Sequence, residues 1–316
     1  MILAVTLNPA LDRTMTVPNF QAGFRHRAIE TVILPGGKGI NAARAVRILG
    51  RPVVVTGFLG GRKGDQILAD LNGEGILNDF VRIEAESRLS TAVIDPATGT
   101  VTEITEQGPL IRPEELHLLY EKLEYLSKAA DIAILAGSVP PGLDDDCYAQ
   151  IIRRLARLGV KTFFYTYGEP LRLGIKAGPD FVFPKLVEAE KVIGYEFAGT
   201  EDRIRAVRHL REMGAGSVVM THRFGCVADL GAAGDHRVFV GTMLAVDVVS
   251  PLGWGDALAG GFAVKMLEGA PPADCLRFGL GCAAASLTTY GAGVFSPEEA
   301  VRLAGQVELE EVASEQ

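Results

Sequence analysis

Two glycine-rich segments more than two hundred residues apart carry the groups best suited to chemistry: Gly36-Gly37-Lys38-Gly39-Ile40-Asn41 and Gly253-Trp254-Gly255-Asp256. Each runs into a helix-like stretch. Glycines let backbone N–H groups approach a ligand and a helix start adds partial positive charge, so each segment suits a phosphate or a sugar hydroxyl. The second ends in a carboxylate, Asp256, ahead of the small-residue run Ala257-Leu258-Ala259-Gly260-Gly261. Phosphoryl transfer asks for a group to take the attacking hydroxyl's proton and for preorganised donors where negative charge spreads; one turn supplies both. Taken alone, the tetrapeptide is more ordinarily a helix cap. Its pairing with the first segment is what favours chemistry.

Such segments need a scaffold, and short β-rich runs alternate with longer helical patterns along the chain. Strands are expected at Ile2–Leu7, Val53–Phe58, Ile132–Ala136, Val160–Tyr165, Asp180–Phe183 and Ser217–Thr221, and helices at Ile40–Leu49, Asp144–Leu158 and Arg203–Met213. This alternation predicts an α/β fold with a mostly parallel central sheet covered by helices. Thr14–Pro35 and Ser87–Gly108 break it, with strand-like segments and no helix between them, and Asp95-Pro96-Ala97-Thr98-Gly99 reads as a hairpin connection. They suit a small second sheet, either a lid that excludes water from a cleft or a plain edge hairpin. The acidic tail Glu308–Gln316 is expected to be solvated.

Composition narrows the partners. Apolar residues make up 48% of 316, charged residues 22%, and the net charge is −8. That balance argues against nucleic acid or an anionic membrane surface, so phosphate binding must rest on local basic clusters. Cys147, Cys226, Cys275 and Cys282 show no CxxC pair and no histidine at metal spacing, which fits reduced thiols in the cytoplasm. The start, Met1-Ile2-Leu3-Ala4-Val5-Thr6-Leu7, reads as a first strand rather than a signal peptide. No apolar run reaches the roughly 18 residues of a membrane span.

Other glycine motifs fail their spacing tests. Gly36-Gly37-Lys38 has Val32 where a P-loop needs glycine and Gly39 where it needs Ser or Thr. Gly57-Phe58-Leu59-Gly60-Gly61 does not match the dinucleotide fingerprint.

Across nearly its whole length the chain instead resembles the phosphofructokinase B family, in the branch that holds 1-phosphofructokinase and tagatose-6-phosphate kinase. Thr6-Leu7-Asn8-Pro9-Ala10-Leu11-Asp12, Gly36–Asn41 continuing Ala42-Ala43-Arg44, Thr56-Gly57-Phe58-Leu59-Gly60, Gly137-Ser138-Val139-Pro140-Pro141-Gly142 and Gly253–Asp256 carry the likeness, with Glu103-Ile104 and Gly108-Pro109 in register. The resemblance implies a single ribokinase-like three-layer α/β/α domain over 1–316, with a small β-sheet lid formed by about 12–35 and 87–108. It also implies ATP, Mg2+ and a sugar phosphate as partners. Position by position, Asp256 matches the catalytic base, and the N–H groups of Gly253, Trp254 and Gly255 its anion hole. Asp12, Asn41, Gly36, Gly37 and Ser138 match positions beside the sugar, and Arg27, Lys38 and Arg88 those around its phosphate. A homodimer through the lid is a further implication, with Val17 and Ile29 expected in the interface.

Departures cluster on the nucleotide side. Trp254 replaces the usual alanine. The Asn-x-x-Glu associated with magnesium and phosphate is Lys185-Leu186-Val187-Glu188, which keeps Glu188, an indirect metal position, and exchanges the amide for a cation. Lys185 suits either ATP phosphates or a solvated helix start. Tyr165-Thr166-Tyr167-Gly168-Glu169 stands where Asp-Thr-Ser-Gly-Glu is usual, and Thr221-His222-Arg223-Phe224-Gly225 lacks a glycine at His222. Thr221 and Gly225 match the nucleotide loop; His222 and Arg223 are either cationic contacts to ATP or structural. Arg62-Lys63 and Ser90 depart on the sugar side. The expected activity is ATP-dependent phosphorylation of fructose 1-phosphate, fructose 6-phosphate or tagatose 6-phosphate. The alternatives are a kinase for an unphosphorylated sugar or nucleoside, and a binder of sugar phosphates that has lost catalysis.

Overall fold

The computed structural model describes residues 1–223, 225–231 and 236–312. From the N-terminus come β1 (Ile2–Thr6), β2 (Ala10–Thr16), β3 (Glu30–Gly36), α1 (Lys38–Ile48), β4 (Val53–Gly60), α2 (Gly61–Gly73), β5 (Leu77–Asn78), β6 (Val81–Ile83), β7 (Arg88–Asp95), β8 (Thr100–Thr105) and α3 (Pro113–Leu126). Then follow β9 (Ile132–Ala136), α4 (Cys147–Arg157), β10 (Lys161–Tyr165), α5 (Gly168–Ile175), β11 (Phe181–Val182), α6 (Leu186–Ile193), α7 (Thr200–Glu212) and β12 (Ser217–His222). The chain closes with β13 (Gly225–Asp229), β14 (Val238–Thr242), α8 (Trp254–Leu267), α9 (Pro272–Leu287), α10 (Pro297–Ala304) and β15 (Glu308–Val312).

The large sheet runs in the order β15-β14-β13-β12-β11-β10-β9-β1-β4-β5, with β6 also on β4. Pairing is parallel from β5 to β12 and antiparallel from β12 to β15. Strand β1 lies inside it, Ile2 facing both Val53 and Ile132 in register. Alternate β1 side chains enter opposite cores: Ile2 and Ala4 join residues of α1, α8 and α9, whereas Leu3 and Val5 join residues of α3, α4 and α7. Burial on both faces explains an unbroken apolar strand and makes three layers.

The two segments that broke the alternation form a separate four-stranded sheet, β3-β2-β7-β8. Its hairpin is tied by Asp95, whose carboxylate accepts from Ala97 N, Thr98 Oγ1, Asn19 N and Phe20 N. Ile29 (71% exposed), Ile33 and Ile104 lie open to solvent on this sheet and its loop.

Several expectations need correcting. Val17 is buried within the protomer, so it is not available to an interface, while Ile29 is. The helix expected from Asp144 begins at Cys147, because the three consecutive aspartates before it occupy the turn. The tail is not wholly solvated: Glu308–Val312 adds an antiparallel strand beside β14, with the Arg237–Glu311 pair across it. Residues 313–316 and Phe224 lie outside the described residues. Among those described, no helix is long and apolar enough to cross a membrane.

Candidate active site

A cleft of about 570 Å³ lies between the small sheet and the C-terminal ends of the parallel strands, where open α/β sheets bind ligands. From the small sheet it receives Asp12, Arg13 and Arg88, and from the strand ends and following turns Asn8, Ser138, Tyr165, Lys185 and Thr221. The starts of α1 and α8 close it with Gly37, Lys38, Asn41 and Gly253 through Asp256. The two glycine segments distant in sequence therefore meet.

Helix α8 settles the cap question. Gly253 is its N-cap, at φ +77, and the helix has no side-chain cap bond; Asp256 sits three positions inside. Glycine is required at 253 twice over, since a Cβ there would also come within 2.5 Å of the Ala292 Cβ. Asp256 is buried, and its Oδ2 accepts from Asn41 Nδ2 at 2.9 Å. Loss of hydration pushes its carboxyl up to about 6, against the opposing pull of Lys38, the Asn41 bond, Lys185 and the Tyr165 hydroxyl. A buried carboxylate held near 6 at the edge of a cleft is matched to accepting a proton at neutral pH.

Asp12 reaches the cleft from β2 because Gly36, across the β2–β3 pair, has no side chain: a Cβ there would fall 1.9 Å from Asp12 Oδ2. Gly36 thus acts behind Asp12 rather than on the cleft surface. Desolvation pushes Asp12 up to about 6 as well, opposed chiefly by Arg88 and raised further by the charge of Asp256. Arg88 donates to the carbonyls of Asn8 and Glu106 and opens onto a second cavity of about 410 Å³ that shares Ser138 and Tyr167 with the cleft. Ser138 Oγ accepts from Asn8 Nδ2 at 3.0 Å.

Lys38 lines the same cleft from the first turn of α1. Its ammonium is 3.6 Å from Glu188 Oε1, rides over the Tyr165 ring and is the main charge acting on Asp256. That puts it between Asp256 at the start of α8 and Glu188 on α6. Lys185 precedes α6, its backbone N–H donating to Glu188 Oε2 at 2.8 Å, and its side chain lines the cleft. Thr221 lines it too, with Oγ1 donating to Pro184 O.

Four expected contacts are not brought to this cleft. Arg27 is exposed on the loop between β2 and β3. His222 is half-buried, and burial together with Arg203 holds its imidazole below its usual range, which makes it a poor cationic contact at neutral pH. Arg223 is exposed away from the lining. Gly225 serves the sheet: a Cβ would meet Gly241 O at 2.0 Å, so only glycine lets β13 and β14 approach.

Asn8, Tyr165 and Arg44, to which the sequence motifs assign no role of their own, also converge on the site. Asn8 follows β1 directly and donates to both Gln107 O and Ser138 Oγ. Tyr165, a replacement of an expected acid, places its hydroxyl beside Asp256 and Lys38 O. Arg44, on the same face of α1 as Asn41, touches the Asn41 amide; the i, i+3 spacing was the available signal.

The residues suit a magnesium ion that arrives on a nucleotide rather than one held in a protein cage. Among the described residues no group of three or more His, Cys, Asp or Glu could hold an ion. Glu188 is a cleft-lining carboxylate, and magnesium commonly needs only one or two beside phosphate oxygens and water.

Fold and site together are those of a ribokinase-like sugar kinase. Residues 5–299 match the model of the pfkB family of carbohydrate kinases, to which this chain belongs. It is 30% identical to a 1-phosphofructokinase of Borreliella burgdorferi, over 99% of each chain. It is 32% identical to a 1-phosphofructokinase of Haloferax volcanii, over 89% of this chain and 88% of that one. The solved structure of a possible 1-phosphofructokinase from Thermotoga maritima superposes with a TM-score of 0.89 at 25% identity, over 99% of this chain and 100% of that one.

Proposed function

We propose that this kinase uses ATP to phosphorylate a hydroxyl of a ketohexose phosphate, with fructose 1-phosphate as the first candidate and fructose 6-phosphate and tagatose 6-phosphate beside it. The observation that carries the reading is Asp256: a buried carboxylate on the first turn of α8, held by Asn41 and facing a cleft that Arg88 also lines. The acceptor hydroxyl sits between Asp12 and Asp256. As its oxygen bonds to the γ-phosphorus, its proton passes to Asp256, the bond from that phosphorus to the β-phosphate oxygen breaks, and ADP leaves. The N–H groups of Gly253, Trp254 and Gly255 stabilise the charge that spreads over the transferred group, and Lys38 and Lys185 add cations. Glu188 would help hold a magnesium ion arriving with ATP, which would supply neutralisation of phosphate charge. Arg88 recognises the phosphate already on the sugar, since a guanidinium fork matches phosphate oxygens.

On this reading the chain is one kinase domain, and the small sheet is its lid. A second copy covers the apolar residues that the lid exposes, and Arg27 acts from there. A cytoplasmic setting suits both substrates and the four free thiols.

The test is ADP release with Mg-ATP over fructose 1-phosphate, fructose 6-phosphate, tagatose 6-phosphate, fructose and ribose, with Asp256→Asn as control. Turnover of one phosphorylated ketohexose, lost in the control, supports the reading. Equal kcat/KM for fructose and its phosphates would move it to an unphosphorylated acceptor. Binding of a sugar phosphate without any turnover would favour a non-catalytic binder, a role that Trp254, Lys185 and Tyr165 are placed to explain.

A further inference from the structure

We propose that Arg44 is a positioning residue for the phosphoryl-transfer base: its guanidinium, clamped by Glu74, orients the Asn41 amide so that the NH2 end must face Asp256. The proposal rests on the kinase reading only for its catalytic consequence. Arg44 is 4% exposed and spends its donors on fixed partners. Nε and one terminal nitrogen grip Glu74 at 2.7 and 3.0 Å, a bidentate clamp. The other terminal nitrogen donates to Asn41 Oδ1 at 3.2 Å and to Ala292 O at 2.8 Å, and the first also donates to Pro35 O at 2.6 Å.

An amide has one accepting and one donating end. With Oδ1 held by the guanidinium, Nδ2 points at Asp256 Oδ2. The flipped amide would set oxygen against carboxylate and NH2 against guanidinium, two repulsive contacts in a buried site. Gly293 packs on the Asn41 backbone, where a Cβ would lie 2.3 Å from Asn41 O, and Ala292 packs on Gly253 at the start of α8. Pro35 lies near the end of β3, so one cation joins the small sheet's exit strand, the base's donor and the wall of the anion hole. Other charges facing Asp256 are Lys38, Lys185 and Asp12, with the Tyr165 hydroxyl beside them; none of them touches the Asn41 oxygen.

The experiment titrates Asp256 directly, in ligand-free protein carrying 13C-labelled aspartate, with the signal assigned by its absence in Asp256→Asn. In Arg44→Lys and in Glu74→Gln the midpoint of Asp256 rises by about one pH unit, the size of one weakened hydrogen bond to a charged group. The acidic limb of kcat/KM moves by the same amount, and kcat falls roughly 10-fold with the sugar KM nearly unchanged. In an Asn41→Ala background, Arg44→Lys adds no further shift. If Arg44→Lys does not fold, Glu74→Gln decides. Folded variants whose Asp256 titrates as in the wild type would overturn the proposal. A wild type with no turnover would overturn the kinase reading instead, and the titration would still judge Arg44.

Discussion

Replacing Asp256 by Asn should stabilise the ligand-free protein while removing its turnover. Burial raises the carboxyl from its ordinary 3.8 to about 6. The native state therefore holds that proton more tightly than the unfolded chain does. The stability this gives is fully present below about pH 4 and is lost as pH rises through 6. A shift of about 2 units at ~1.4 kcal/mol each means that the ionised group costs the fold about 3 kcal/mol at pH 8. Asparagine removes that cost and can still accept from Asn41 through its carbonyl, so a net gain of about 2 kcal/mol is expected, or roughly 4 °C in Tm. At pH 4 both proteins carry a neutral group and unfold together. Thermal unfolding at pH 4, 6 and 8, paired with urea titrations, measures this, and turnover at pH 8 should fall roughly 10²–10⁴-fold. A gain of equal size at every pH, or a loss at pH 8, would refute the reasoning that Asp256 is a desolvated base held against the fold's preference.

Asp12 and Asp256 both titrate near 6 and repel one another, so kcat/KM should fall below pH 6 with a slope steeper than one proton, and Asp12→Asn should reduce that slope to one. Gly36→Ala puts a methyl 1.9 Å from the Asp12 carboxylate, which must swing away; sugar affinity measured by calorimetry should drop at least 10-fold while ATP affinity holds. Ile29→Asp charges an exposed position of the lid loop without touching the protomer's core, and sedimentation should report monomers; an unchanged dimer would count against association through the lid.

Much of this protein was legible in its sequence because the signals are local. The period of apolar residues set the alternation of strands and helices, and the interruptions at Thr14–Pro35 and Ser87–Gly108 marked the second sheet. Two glycine segments marked the turns that meet at the cleft, and the family resemblance picked out Asp12, Asn41 and Asp256. What tertiary structure decided was which groups touch. Nothing along the chain says that Lys38 pairs with Glu188 or that Arg44 holds Asn41 from behind, because charges interact through space and a helix turn can point a cation at any of several neighbours. Likewise His222, Arg223 and Gly225 share a motif with Thr221, yet only Thr221 reaches the cleft. A β-strand turns successive side chains to opposite faces, and His222, next after Thr221 on β12, does not line the cleft. The raised carboxyls of Asp12 and Asp256 belong to the fold alone, since burial is a property of what surrounds a residue and not of its neighbours in sequence.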